Sequence, residues 1–148
     1  MLSPPSPAPL LCVLDTNVVL DLFHFADPAA LPLLKALEAG RLISLVDEAT
    51  LAELARVLTY QELSLKEEQA YELLHRYRRY CQEAGADRST AVSLPRCKDP
   101  DDQKFLELAA RTGASLLISK YKALLTLSGK PGLRFRILTP KAAAEYMI

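Results

Sequence analysis

The sequence predicts a single α/β domain with a mostly parallel sheet and helices on both sides. Short apolar runs alternate with stretches in which apolar residues recur at helical spacing. The segments between successive runs are long enough for the right-handed crossovers that join parallel strands. A chain of 148 residues, 50% of them hydrophobic, also suits one core, because a domain of this size buries roughly 68–70% of the surface that its unfolded chain exposes.

The chain begins with a proline-rich segment, residues 1–9, which we expect to be a flexible tail preceding a domain that spans residues 10–148. The first strand is predicted at residues 10–14, because this apolar run is short and ends abruptly at polar residues, as a strand buried on both faces does. A helix is predicted at residues 18–25, where apolar residues recur at helical spacing until Pro28 ends the pattern.

The next three elements repeat this alternation. A second helix is predicted at residues 32–39, since Gly40 follows its last apolar position. The run at residues 42–46 predicts the second strand. Asp47 is a residue type favoured at helix N-caps, so a third helix is predicted to span residues 48–58.

A long helix is predicted from the sequence Ser-Leu-Lys-Glu at residues 64–67. Ser64 and Glu67 have the spacing of a capping box, in which each side chain satisfies the other's free amide. The helix is expected to continue to about Cys81, before Gly85. A third strand is predicted at residues 91–94.

The last part of the chain predicts three helices and two strands. A helix is expected at residues 102–112, a buried strand at 115–119 and a short helix at 122–127. Residues 134–138 alternate in polarity, which indicates an edge strand. Thr139 and Pro140 open the final helix as its cap and first residue.

Charge and cysteine content exclude several classes of protein. Lys and Arg number 18, as do Asp and Glu, so the chain is neither an acidic disordered tail nor a histone-like basic protein. Three cysteines without a CxxC pair favour free thiols over a disulfide framework or a thiolate zinc site. No secretory signal and no apolar run of about 20 residues is found, so we expect a cytoplasmic protein that does not associate with membranes.

Acidic residues stand at positions where a parallel sheet would gather them. Asp15 directly follows the first strand, Asp99, Asp101 and Asp102 precede a helix, and Glu53 lies off the apolar stripe of its helix. Each has an ordinary explanation as a helix cap or an exposed charge. Brought together, however, carboxylates repel one another unless a cation offsets the repulsion. Hard oxygen ligands of this kind favour Mg²⁺ or Mn²⁺.

Four segments of the sequence together resemble the PIN domain family, in particular its toxins of toxin–antitoxin pairs. They lie within residues 11–139 and appear in the family's order and spacing. They are Val13-Leu14-Asp15-Thr16-Asn17-Val18-Val19-Leu20, Leu51-Ala52-Glu53-Leu54, Lys98-Asp99-Pro100-Asp101-Asp102-Gln103-Lys104-Phe105-Leu106, and Gly113-Ala114 followed by Leu117-Ile118-Ser119-Lys120. The resemblance implies a three-layer α/β/α sandwich and metal-dependent cleavage of single-stranded RNA.

The resemblance also implies roles for individual residues. Asp15 corresponds to the central metal ligand, with Asn17 and Ser119 as supporting polar residues. Asp102 is expected to be the other principal ligand, with Asp99 beside it and Asp101 as a third choice. Glu53 corresponds to an acid that completes the metal site and orients the attacking water. The catalytic residues are therefore expected to be Asp15, Glu53 and Asp102, and the metal ligands Asp15, Asp102, Asp99 and Glu53.

The sequence departs from the family at Tyr121, where the family has an aspartate. A neutral phenol cannot replace the charge of a carboxylate, so a two-ion site is in question. Either Asp99, Asp101 or Asp21 compensates, or activity is reduced. The alternative function is therefore a catalytically weakened PIN-like module that binds RNA or a protein partner. An unrelated α/β domain with capping acids is a third interpretation.

Substrate contacts have two candidate sources. Residues 75–80, His-Arg-Tyr-Arg-Arg-Tyr, interleave cations with rings that could stack bases, although a solvated helix face is the interpretation we favour. Lysines that flank the acidic segments are better candidates for phosphate contacts. They are Lys98, Lys104, Lys120 and Lys122. The resemblance further implies a homodimer and an antitoxin protein that covers the acidic cleft.

Overall fold

The computed structural model of the protein describes residues 8–85 and 94–147. Within these residues the chain forms five strands and seven helices, in the order β1-α1-α2-β2-α3-α4-β3-α5-β4-α6-β5-α7. The strands are β1 (Leu10–Leu14), β2 (Leu42–Val46), β3 (Cys81–Glu83), β4 (Leu116–Ile118) and β5 (Arg136–Leu138). The helices are α1 (Thr16–Phe23), α2 (Leu31–Glu38), α3 (Glu48–Val57), α4 (Glu67–Arg78), α5 (Gln103–Thr112), α6 (Lys122–Leu125) and α7 (Pro140–Tyr146).

The five strands form one sheet in the order β3-β2-β1-β4-β5, and every neighbouring pair is parallel. Successive side chains of β1 enter different cores. Cys12 and Leu14 face a core shared with α1, α2 and α4, and Val13 faces a core shared with α5 and α6. Both faces of the sheet are thus covered by helices. This is the predicted three-layer α/β/α sandwich, and β5 is an edge strand as expected.

Helix α4 and strand β3 correct the sequence-based prediction. Ser64 does not cap α4, because its backbone is left-handed (φ +52) at the end of a short 3₁₀ turn. The cap is Lys66, whose backbone N–H donates to Oε1 of Gln69 at 2.8 Å. The helix ends at Arg78, and Cys81 begins β3, which pairs with Ser44 of β2.

Two predictions fall on segments that the structure does not describe. The strand expected at residues 91–94 lies outside the described residues except for Leu94, which is not in a strand. Residues 1–7 of the predicted tail also lie outside them, so the domain boundary at residue 10 stays a prediction. Within the described part of the chain, none of the helices combines the length and apolar character needed to cross a bilayer.

Candidate metal centre at the carboxyl edge of the sheet

Asp15 is delivered to the carboxyl edge of the sheet by β1 and is completely buried there. Its backbone N–H donates to the carbonyl of Ile118 in β4 (3.1 Å), and its Oδ1 caps α1 by accepting from the Val18 N–H (2.9 Å). Among the described residues, no hydrogen bond of normal geometry reaches Oδ2. Burial raises the pKa of Asp15 to about 6, although the Ser119 hydroxyl and the Lys120 backbone N–H lie near enough to oppose the shift. Asp15 is therefore a buried acid with one oxygen open to a further partner.

Asp102 approaches the same edge from the segment before α5. It ends a short 3₁₀ turn, Pro100–Asp102, which Asp99 caps by accepting from the Asp101 N–H at 3.0 Å. Asp102 is 7% exposed. Burial, followed by the negative charges of Asp99, Asp15 and Glu53, raises its pKa to about 6. Asp99, Asp102 and Glu53 line the same cleft, and with the buried Asp15 they form one group of negative charges that disfavours ionisation of Asp102.

Glu53 completes the acidic cluster from α3. Its side chain is 11% exposed, in contrast to an ordinary solvent-facing helical glutamate. Oε2 accepts a hydrogen bond from Thr16 Oγ1, and Oε1 lies 2.7 Å from Nζ of Lys104 and 4.0 Å from the guanidinium of Arg56. Both oxygens of Glu53 thus have partners supplied by α1 and α5.

Tyr121 lies beside these acids, half-buried, directly after β4. Its backbone N–H donates to Ser119 Oγ at 2.9 Å. Burial, followed by the charges of Asp15, Asp102 and other nearby acids, raises the pKa of the phenol well above its usual range. The group is therefore neutral at physiological pH and adds no negative charge to the cluster. Of the residues considered as compensation for it, Asp21 is ion-paired with Lys120 at 2.7 Å, whereas Asp99 and Asp101 line the acidic cleft described next.

The acids open into a cleft of about 500 Å³, which we call the acidic cleft. One part of its lining is acidic and the other is largely apolar and aromatic. The lining residues are Thr16, Asn17, Leu20, Phe25, Glu53, Arg56, Val57, Tyr60, Glu62, Leu63, Asp99, Asp101, Asp102 and Tyr121. The sequence-predicted residues Asn17, Glu53, Asp99 and Asp102 thus share one cleft, and Asp15 and Ser119 lie buried next to it.

The side chains present fit a divalent cation in part. Among the described residues, Oδ2 of the buried Asp15 has no hydrogen-bond partner. The pKa of Asp102 is raised by burial and by neighbouring carboxylates whose charge a cation would offset. Across residues 8–85 and 94–147, however, no three His, Cys, Asp or Glu side chains are already spaced to hold one ion together. Glu53 is occupied by Lys104. The arrangement therefore offers Asp15 and Asp102 as ligands, and Glu53 could join them only after Lys104 moves.

The candidate substrate contacts outside the cluster divide into two groups. In residues 75–80, Tyr77 is buried with its hydroxyl 2.6 Å from Ser44 Oγ, and the ring of Tyr80 stacks on Phe23. Those two rings pack in or against the core and are not available to stack bases, so the solvated helix face favoured from the sequence is wrong for both tyrosines. Lys98 and Lys122 are exposed near the cluster, whereas Lys104 and Lys120 are already ion-paired.

Sequence reasoning missed two features of this site. Thr16 was not singled out, although it directly follows Asp15, and its bond to Glu53 spans 37 positions of the chain. Phe25 and Tyr60 were not expected to line the cleft, because an aromatic residue just after a helix carries no local sign of which surface it joins. Their shared position could have pointed to them, since Phe25 comes just after the helix that Asp15 caps and Tyr60 just after the helix that carries Glu53.

A parallel sheet with helices on both faces and carboxylates gathered at its carboxyl edge defines an α/β domain whose polar site lies where such folds usually place theirs. Residues 12–123 match the PIN domain family, and the chain belongs to that family. This excludes the unrelated α/β domain considered above.

Comparisons with individual proteins agree with this fold. A comparison with curated protein sequences finds no match. Among solved structures, the chain is similar to a crystal structure of VapBC2 from Rickettsia felis bound to a DNA fragment from their promoter. The TM-score is 0.60 at 16% sequence identity, and the match covers 88% of this chain and 98% of that chain. At this identity the similarity establishes the fold.

Proposed function

We propose that this protein is a metal-dependent endoribonuclease of the PIN type that cleaves single-stranded RNA as the toxin of a toxin–antitoxin pair. Membership of the PIN domain family supports nuclease chemistry. The observation that carries the proposal is the buried, unpartnered Oδ2 of Asp15 beside the mutually repelling carboxylates around Asp102. The structural likeness to VapBC2 with promoter DNA supports an antitoxin protein as a partner. A homodimer and a cytoplasmic location are part of the same proposal.

Each residue of the cluster has a separate role in the proposed reaction. Asp15 and Asp102 would hold Mg²⁺ or Mn²⁺, and Asp99 would stand beside them. When bound, such a cation acidifies water and neutralises charge that develops on a phosphate. Glu53 would orient the attacking water and accept its proton at Oε1, the oxygen that Lys104 now occupies. Lys104 would move from Glu53 to a phosphate oxygen. Its ammonium group would then have a negative partner both before and after the move.

The test compares three asparagine variants in cleavage of a single-stranded RNA with Mg²⁺ or Mn²⁺. Asp15→Asn and Asp102→Asn should each reduce cleavage more than about a hundredfold. Mutation of residues that only hydrogen-bond to a metal ligand already lowers activity by about 10- to 100-fold, and loss of the ligand itself should cost more. Asp27→Asn is the matched control, because Asp27 also caps a helical turn through its side chain but lies outside the acidic cleft. Asparagine caps about as well as aspartate. Wild-type cleavage by Asp15→Asn would remove the mechanism.

A catalytically weakened PIN module that binds RNA or a protein partner is the second candidate. Tyr121 favours it, because a neutral phenol stands where the family has an aspartate, and so does the Lys104–Glu53 ion pair. Calorimetry with Mn²⁺ and a cleavage assay on the same preparation separate the two candidates. Binding of RNA by the wild-type protein without any metal-dependent cleavage would favour the second.

A further inference from the structure

Two exposed aromatic rings, Phe25 and Tyr60, line the acidic cleft together with the carboxylates. Their exposed fractions are 59% and 46%, whereas most large apolar side chains of the described chain are buried. Phe25 follows α1, whose first residue comes directly after Asp15, and Tyr60 follows α3, which carries Glu53. At about 1.5 Å of rise per helical residue, the backbone of Phe25 is roughly 15 Å along the chain axis from Asp15, and that of Tyr60 is roughly 10 Å from Glu53. Such a separation is on the order of a few nucleotides along an RNA strand.

The backbone that carries each ring is held in place by hydrogen bonds. The Phe25 N–H donates to Leu20 O (2.8 Å), and the next residue, Ala26, has a left-handed backbone (φ +50) that is uncommon for a residue with a side chain. The Tyr60 N–H donates to Val57 O (3.0 Å), and its carbonyl accepts from the Leu63 N–H. Both rings are therefore carried on hydrogen-bonded turns, so that little backbone freedom is lost when a ligand covers them.

The charges around the rings favour a ligand bound through its bases. Glu53, Asp102 and Glu62 line the same cleft and repel a phosphate backbone, and Arg56 is the cation among the lining residues, with 64% of its side chain exposed. Electrostatic attraction alone therefore gives a polyanion little affinity for this cleft. Stacking of bases on aromatic rings supplies affinity without net charge and accepts any base, since every base has a flat face.

We propose that Phe25 and Tyr60 form a stacking site for unpaired nucleobases, a few nucleotides from the phosphate that the acidic cluster cleaves. The inference rests on the proposed function and accounts for its preference for single strands. In a duplex the faces of the bases are covered by their neighbours, so the rings cannot engage them. An RNA strand must present splayed bases to occupy the cleft.

The experiment measures binding of a short RNA that carries a fluorescent purine analogue, used single-stranded and annealed to its complement. All proteins carry Asp15→Asn so that the RNA stays intact. Phe25→Ala and Tyr60→Ala remove exposed rings and leave the core unchanged. Tyr60→Phe keeps the ring, and Tyr71→Ala is the matched control, because Tyr71 is 72% exposed but lies on α4 outside the acidic cleft.

We expect each ring deletion to weaken binding of the single strand by roughly 5- to 150-fold and to abolish stacking-induced quenching of the analogue. Tyr60→Phe and Tyr71→Ala should bind like the Asp15→Asn parent, and only the parent and these controls should prefer single strands over duplex. If the parent binds RNA but both ring deletions bind it equally well, the stacking site is wrong and the proposed function stands. If neither the parent nor the wild-type protein binds RNA, both proposals fail. Ring deletions that abolish self-association without changing RNA binding would assign the rings to a contact between copies and overturn the inference.

Discussion

Replacement of Asp15 by asparagine is expected to stabilise the metal-free fold while it abolishes function. The wild-type carboxylate is fully buried and its pKa is raised from 3.8 to about 6, mainly by burial. Such a shift corresponds to about 3 kcal/mol of unfavourable free energy for the ionised form at neutral pH. Asparagine keeps the N-cap but carries no charge. Because the amide loses part of the favourable contact with Ser119, we expect a net gain of about 1–3 kcal/mol.

The direction in which stability changes with pH follows from how many protons Asp15 binds in the folded and in the unfolded protein. Between about pH 4 and pH 6, folded wild-type protein binds more protons at Asp15 than the unfolded chain does, so its stability falls as the pH rises through this window. The Asp15→Asn protein lacks that titration, and its Asp102 is no longer repelled by a charge at position 15, which adds to the gain in stability at neutral pH. The difference in stability should therefore be largest at pH 7 and close to zero at about pH 4. Urea denaturation of both proteins in EDTA, at several pH values, measures it.

Asp27→Asn provides the control, since this half-buried carboxylate caps a 3₁₀ turn and a change there should stay within about 0.5 kcal/mol at every pH. An Asp15→Asn protein that is less stable than wild type at pH 7, or a difference that does not change with pH, would refute the reasoning. Either result would mean that the ionised Asp15 carboxylate is already well stabilised without a cation.

Two further changes test neighbouring parts of the account. Tyr121→Asp should raise Mn²⁺ affinity and cleavage, because it adds a further carboxylate to the four already in the cluster. Calorimetry and the RNA assay measure both, and no gain in either would mean that Tyr121 does not limit the site. Ser44→Ala should destabilise the fold by about 1–3 kcal/mol, because it leaves the buried Tyr77 hydroxyl without its 2.6 Å partner. The double variant with Tyr77→Phe should recover part of that loss in urea denaturation, and additive losses would contradict the pairing.

The sheet could be predicted from the sequence where burial on both faces leaves a short, predominantly apolar run. Residues 10–14, 42–46 and 115–119 have that pattern, and each contains a strand of the sheet. Strand β3 could not be predicted, because Cys81-Gln82-Glu83 is a short edge segment whose pairing with β2 depends on tertiary contact.

The acidic cluster could be anticipated because chain position alone fixes where parallel strands and their following helices end. Asp15 follows β1, and Asp102 directly precedes α5, so the topology brings them to one edge. The partners of Glu53 could not be anticipated. Its bonds to Thr16 and Lys104 depend on how α1, α3 and α5 pack and on which rotamers those side chains adopt. Sequence spacing carries no information on either.

Titration of stability with Mn²⁺ tests the central claim most directly, namely that the carboxylates around Asp15 form a cation site. A cation that binds only the folded state should stabilise wild-type protein by about 2.7 kcal/mol at a hundredfold excess over its Kd. Asp27→Asn should gain the same amount, and Asp15→Asn should gain almost nothing. Equal stabilisation of Asp15→Asn, or no stabilisation of the wild type, would contradict the account.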